Sequence, residues 1–175
     1  MKRIVIHWTA GGGMPNDTDK EHYHYLVDIG GRFYCGKFKP EDNLVCKNDK
    51  TGKPMYACHT GGGNTGSIGV AFCGMRNFKN RENIGDCPIT RIQFETVMQL
   101  CAEICKKYHI TVTPQTVMTH YEFGKSHPKS SSAGKIDIVY LPPFSYVKQS
   151  DVGEFVRNKI RWYVNHPENR KTLLE

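Results

Sequence analysis

Apolar and polar positions alternate along this chain in blocks that switch between strand and helix periods. Ile4, Val5 and Ile6 form a β-branched run closed by Gly11-Gly12-Gly13, which predicts a buried strand over Arg3 to Thr9 with His7 near its end. Tyr23 to Val27 and Arg32 to Phe38 predict a hairpin, because Asp28-Ile29-Gly30-Gly31 between them supplies turn residues. Lys39 to Pro54 is polar and reads as loop. Ser67 to Cys73 is a second apolar strand, set between Gly61-Gly62-Gly63-Asn64 and Gly74. Thr90 to Tyr108 carries the clearest helical signal: Thr90 and Gln93 form a capping box, and Phe94, Val97, Met98, Cys101, Ile104, Cys105 and Tyr108 recur at three and four. A short strand over Thr116 to Thr119 ends at His120, and Asp151 to Val164 predicts a second helix showing Val152, Phe155, Val156, Ile160 and Tyr163 on one face. Strands alternating with helices predict a single α/β domain over residues 1–175, a central mixed β-sheet flanked by helices.

Composition narrows the setting. No run reaches the roughly 18 to 20 apolar residues that span a bilayer, and Met1-Lys2-Arg3-Ile4-Val5-Ile6-His7 meets a polar residue too early for a signal peptide, so the expectation is synthesis in a cytoplasm without membrane insertion. Seven cysteines, an odd and scattered set, read as reduced thiols; Cys58, Cys73, Cys101 and Cys105 sit among apolar neighbours as small hydrophobes. With 24 basic and 17 acidic residues the formal charge is +7, a surface that attracts polyanions. The basic residues come singly or in pairs, Lys106-Lys107 and Arg170-Lys171, without the runs or aromatic signature of a nucleic-acid binder, so no nucleic-acid partner is expected.

The chemistry-bearing residues are few: His7 after the first strand, Tyr23-His24 at the hairpin, His59 before the glycines, His120 after a late strand, and Lys135-Ile136-Asp137. Two histidines and one carboxylate suit a catalytic zinc, because three protein ligands leave a tetrahedral position for water. The spacing contains no short metal-binding signature, so the residues alone leave strand-end histidines and a surface Lys-Asp pair open as structural readings. His59 and Asn64 are candidate substrate contacts; His59 either touches substrate or supports a ligand from behind, with a plain loop role equally open. His24 alternates to the face opposite Tyr23 and reads as structural.

Ile4-Val5-Ile6-His7-Trp8-Thr9-Ala10, Tyr23-His24-Tyr25-Leu26-Val27 with Gly31, Ser67-Ile68-Gly69-Val70, His120-Tyr121-Glu122 and Lys135-Ile136-Asp137 follow one another in an order that resembles the phage-lysozyme and peptidoglycan-recognition-protein family of N-acetylmuramoyl-L-alanine amidases. The resemblance covers about residues 4 to 140. It implies that family's mixed-sheet fold, with zinc in a surface groove held by His7, His120 and Asp137. It makes Lys135 and Tyr23 catalytic, the lysine stabilising an oxyanion. Tyr121 to Ile136 is a longer excursion than in compact members; it is expected as a loop beside the groove, and its His127 is the alternative third ligand. Glu122 is either a helper of catalysis or a solvated carboxylate.

The implied substrate is bacterial peptidoglycan, cut between the lactyl group of N-acetylmuramic acid and L-alanine. The charge favours the intact wall over a small soluble ligand, and one compact domain without wall-binding repeats or a signal peptide resembles a phage or prophage endolysin, expected as a monomer made in the host cytoplasm and acting on periplasmic wall. A recycling amidase for soluble anhydro-muropeptides, a non-catalytic peptidoglycan-binding module and a protein-binding regulator are the alternatives.

Overall fold

In the computed structural model, which describes residues 1–174, the chain builds a five-stranded sheet in the order β3-β2-β4-β1-β5. The strands are β1 (Arg3–Trp8), β2 (Tyr25–Val27), β3 (Phe33–Cys35), β4 (Ser67–Phe72) and β5 (Val117–Thr119). β1 lies parallel to both β4 and β5, β2 is parallel to β4, and only the edge strand β3 runs antiparallel. Central parallel strands are covered on both faces, which is why β1 and β4 read as nearly continuous apolar runs.

Alternation along β1 divides the molecule. Ile4, Ile6 and Trp8 belong to the main core, whereas Val5 joins a small cluster with Met118 and Phe123 on the other face, the face to which His7 also points. The main core lies beneath helix α2 (Arg91–Tyr108) and helix α4 (Val152–Asn165), joined through Phe94, Phe144 and Phe155, whose ring centroids lie 4.7 and 4.9 Å apart in sequence. The expected capping box on α2 is present, and buried Gln93 also donates to the carbonyls of Val27 and Cys73, locking the helix start to the sheet.

Two short helices depart from the expected pattern. Helix α1 (Asp17–His22) has a capping box from Asn16 and Asp19 but buries only Asp19, so it carries no apolar stripe to announce it. Helix α3 (His120–Ser126) opens the excursion that was expected to be loop, capped by Thr119 and Glu122. The hairpin is correspondingly shorter than Tyr23–Val27 with Arg32–Phe38, because the Tyr23 N–H caps α1 through Asp19 O and is withdrawn from the ladder. All seven cysteines are free thiols. Among the described residues no helix is long and apolar enough to cross a membrane.

Candidate active site

His7, His120 and Asp137 converge on the face of the sheet away from α2. His7 comes from the end of β1, His120 from the first residue of α3 beside it, and Asp137 from the end of the excursion, which the Tyr121 N–H draws back by donating to the Asp137 carbonyl at 2.5 Å. All three are buried. His7 Nδ1 lies 2.9 Å from Asp137 Oδ2 and 3.1 Å from His120 Nδ1, and His120 Nδ1 lies 3.1 Å from the same carboxylate.

The outer nitrogens decide what those inner atoms are. The Ser132 hydroxyl donates to the Gly61 carbonyl at 2.7 Å, so at 2.9 Å it accepts the Nε2–H of His120. His59 Nε2 faces the Ser67 carbonyl at 3.4 Å, an arrangement that puts its proton there and leaves its Nδ1 as an acceptor for Thr60 Oγ1 at 2.8 Å. His7 Nε2, 3.2 Å from that Nδ1 and 3.3 Å from Thr60 Oγ1, is therefore the donor. Burial lowers the pKa of His7 to about 4, against the opposing pull of Asp137, and lowers that of His59 well below its ordinary value. His7 is thus neutral, and with their Nε2 atoms engaged outward His7 and His120 turn their Nδ1 lone pairs toward each other and toward a carboxylate. Such a convergence of acceptors repels itself and is relieved by a cation. Ligand atoms around a tetrahedral zinc at about 2.0 Å sit about 3.3 Å apart, close to the spacing found, and two imidazoles with one carboxylate are an ordinary zinc donor set. The group fits the ion.

The groove above this group encloses about 600 Å³. Tyr23, Lys135, His59 and Asn64 all line it. The Tyr23 ring is 5.2 Å from that of His7, and burial together with the charge of Asp137 pushes its hydroxyl pKa upward, keeping the proton on oxygen. Lys135 is exposed at the rim, near enough that its charge helps to lower the His7 pKa. Trp8 and Phe78, with ring centroids 4.9 Å apart, form an apolar wall. His59 lies buried behind His7, on the flat surface left by Gly69, whose absent Cβ would collide with the imidazole. Asn64 Oδ1 accepts from the N–H groups of His59 and Thr60, so its side chain shapes the loop carrying them.

The remaining sequence candidates sit elsewhere. His127 stacks on Phe123 at 4.0 Å and bonds to the Phe123 carbonyl, outside the three-residue group. Glu122 neither faces the groove nor stands free in solvent: it accepts from both Nη atoms of Arg157 at 3.0 Å and from the Thr119 N–H, tying α3 to α4. His24 is buried between Asn43 Oδ1 and the Gly69 N–H. Thr60 and Ser132 were not legible as site residues, since isolated hydroxyls in Gly- and Ser-rich stretches carry no periodic or motif signal.

A mixed α/β sheet bearing a buried His-His-Asp group able to hold a metal ion, under an open groove, defines the class of this protein. The chain belongs to the N-acetylmuramoyl-L-alanine amidase family, which matches residues 1–135. That span includes His7, Tyr23, His120 and Lys135, and Asp137 follows two positions later. None of the curated proteins matches significantly. Among solved structures the chain is similar to the E. coli N-acetylmuramyl-L-alanine amidase AmiD in complex with the substrate anhydro-N-acetylmuramic acid-L-Ala-D-gamma-Glu-L-Lys, at 20% identity and a TM-score of 0.50, covering 91% of this chain and 57% of that one. It thus spans a little over half of AmiD, and the likeness is one of fold. The ectodomain complex of peptidoglycan recognition proteins LCa and LCx bound to tracheal cytotoxin matches at 22% identity, 75% of each chain and a TM-score of 0.47.

Proposed function

We propose that this protein is a zinc-dependent N-acetylmuramoyl-L-alanine amidase that hydrolyses the amide between the lactyl group of N-acetylmuramic acid and L-alanine in bacterial peptidoglycan. The observation that carries this reading is the meeting of His7 Nδ1 and His120 Nδ1 with the Asp137 carboxylate at the floor of the groove. His7, His120 and Asp137 hold the ion, which when bound supplies Lewis acidity and a water acidified to a pKa near 7. Lys135, a cation at the groove rim, stabilises negative charge as it develops on the carbonyl oxygen. The Tyr23 hydroxyl remains protonated and donates a hydrogen bond in the same place. His59 and Asn64, which line the groove, serve the substrate by holding His7 and the loop at the groove wall.

The natural substrate on this reading is the intact wall, and the protein acts as a phage or prophage endolysin. Its support is the charge of +7, which concentrates a protein on an anionic polymer and does little for a small ligand in a pocket. Mass spectrometry of peptidoglycan digested by the zinc-loaded protein tests the chemistry. Free stem peptides beginning at L-alanine, lost on chelation and restored by zinc, are the expected products. Binding without any such product would make the protein a recognition module instead.

A further inference from the structure

The excursion between the second and third members of the group does more than carry Asp137. We infer that Ser132 is a positioning residue for the metal site, whose hydroxyl fixes the orientation of His120 so that Nδ1 is the atom presented to the ion. The inference rests on the reading of His7, His120 and Asp137 as zinc ligands. Ser132 is fully buried. Its Oγ bridges His120 Nε2 at 2.9 Å and the Gly61 carbonyl at 2.7 Å. A serine has a single hydroxyl proton and a carbonyl can only accept, so the proton goes to Gly61 and a lone pair receives the Nε2–H of His120. A neutral imidazole has one N–H, and the partner of that N–H decides which nitrogen is left bare.

The chain is shaped to deliver this serine. A Cβ on Gly61 would strike the Ser131 side chain, and one on Gly124 would strike the Ser132 carbonyl oxygen, so the glycines on either side admit the serine segment at backbone distance. The segment is pinned again by Ser130 N to His127 O and by Lys135 N to Ser132 O, at 3.0 and 3.2 Å. The insertion is therefore a brace joining the glycine loop to a metal ligand. Because Lys135 follows three residues after Ser132, the same brace sets the approach of the lysine to the groove.

Zinc affinity measured by competition with a chromophoric chelator tests this without reference to turnover. Ser132→Ala is expected to weaken zinc binding by about 10-fold to 100-fold, the usual effect of removing a hydrogen-bond partner of a ligating histidine. Ser132→Thr, which keeps the hydroxyl, recovers most of that loss. The visible absorption of the cobalt-loaded protein should change in Ser132→Ala, since reorientation of one ligand alters the field at the ion, while the thermal midpoint of the metal-free variant stays near that of the parent. Equal zinc affinity and an unchanged cobalt spectrum in Ser132→Ala would overturn the inference and leave the zinc reading intact. Absence of zinc binding by the parent protein would overturn the zinc reading itself.

Discussion

His7 and His120 face each other Nδ1 to Nδ1 at 3.1 Å across 113 positions of sequence. Two backbone devices enforce this: the parallel pairing of β1 with β5, which sets Ile6 against Thr119, and the capping of α3, which begins the helix at His120. Each ring is then held from behind, His7 by His59 and Thr60, His120 by Ser132.

The first expectation is one zinc per chain, lost in His7→Ala, His120→Ala and Asp137→Ala and kept in His127→Ala. Metal analysis of the purified variants by mass spectrometry decides it. Retained zinc in Asp137→Ala together with lost zinc in His127→Ala would move the third ligand to the end of α3, against the placement of His127 on Phe123.

Lys135→Ala should hold zinc normally and lose about 100-fold to 1000-fold in turnover, the range found when one stabiliser of a developing oxyanion is removed. Single-turnover cleavage and muropeptide binding separate the cases. An intact chemical step with weakened binding would make Lys135 a contact for the substrate.

Glu122→Gln removes one of the two carboxylate partners of Arg157, which is almost fully buried and also pairs with Glu154. Hydrogen bonds to charged groups contribute about 2 kcal/mol each, so a loss of that order in urea unfolding is expected, with zinc content and turnover unchanged. A fall in activity at unaltered stability would return Glu122 to the chemistry.

Acid should destabilise the metal-free protein through its buried rings. Burial lowers the pKa values of His7 and His24 to about 4 and that of His59 well below the ordinary value. The unfolded chain takes up these protons near pH 6.5 and the folded chain resists them, so the contribution is complete above about pH 6.5 and is lost progressively as pH falls toward 4. Thermal midpoints recorded in chelator across that interval should drop; a flat profile would show that the rings are hydrated.

Intact sacculi should be cleaved faster than a soluble anhydro-muropeptide at equal bond concentration, with the advantage shrinking as salt rises. Screening contracts the reach of the surface charge from about 10 Å at 0.1 M to about 3 Å at 1 M salt. Salt-independent preference for the small substrate would identify a recycling enzyme with the same chemistry.

The strands and long helices were readable because their signal is local. Ile4 to Ile6 and Ser67 to Cys73 are apolar on both faces as central parallel strands must be, and Thr90 to Tyr108 combines a capping box with an apolar stripe. The candidate ligands were readable as residue types in an order resembling a family, yet spacing alone left surface and strand-end roles open. What the tertiary structure decided was proximity and direction. Helices α1 and α3 bury too little apolar surface for periodicity to reveal them, so the sequence alone placed Tyr23 on a strand and His120 before a loop. The pairing of Glu122 with Arg157 spans 35 positions, and the contacts of Ser132 with Gly61 span 71. Such contacts depend on how separate elements pack, a global property of the chain to which no local pattern of polar and apolar residues responds.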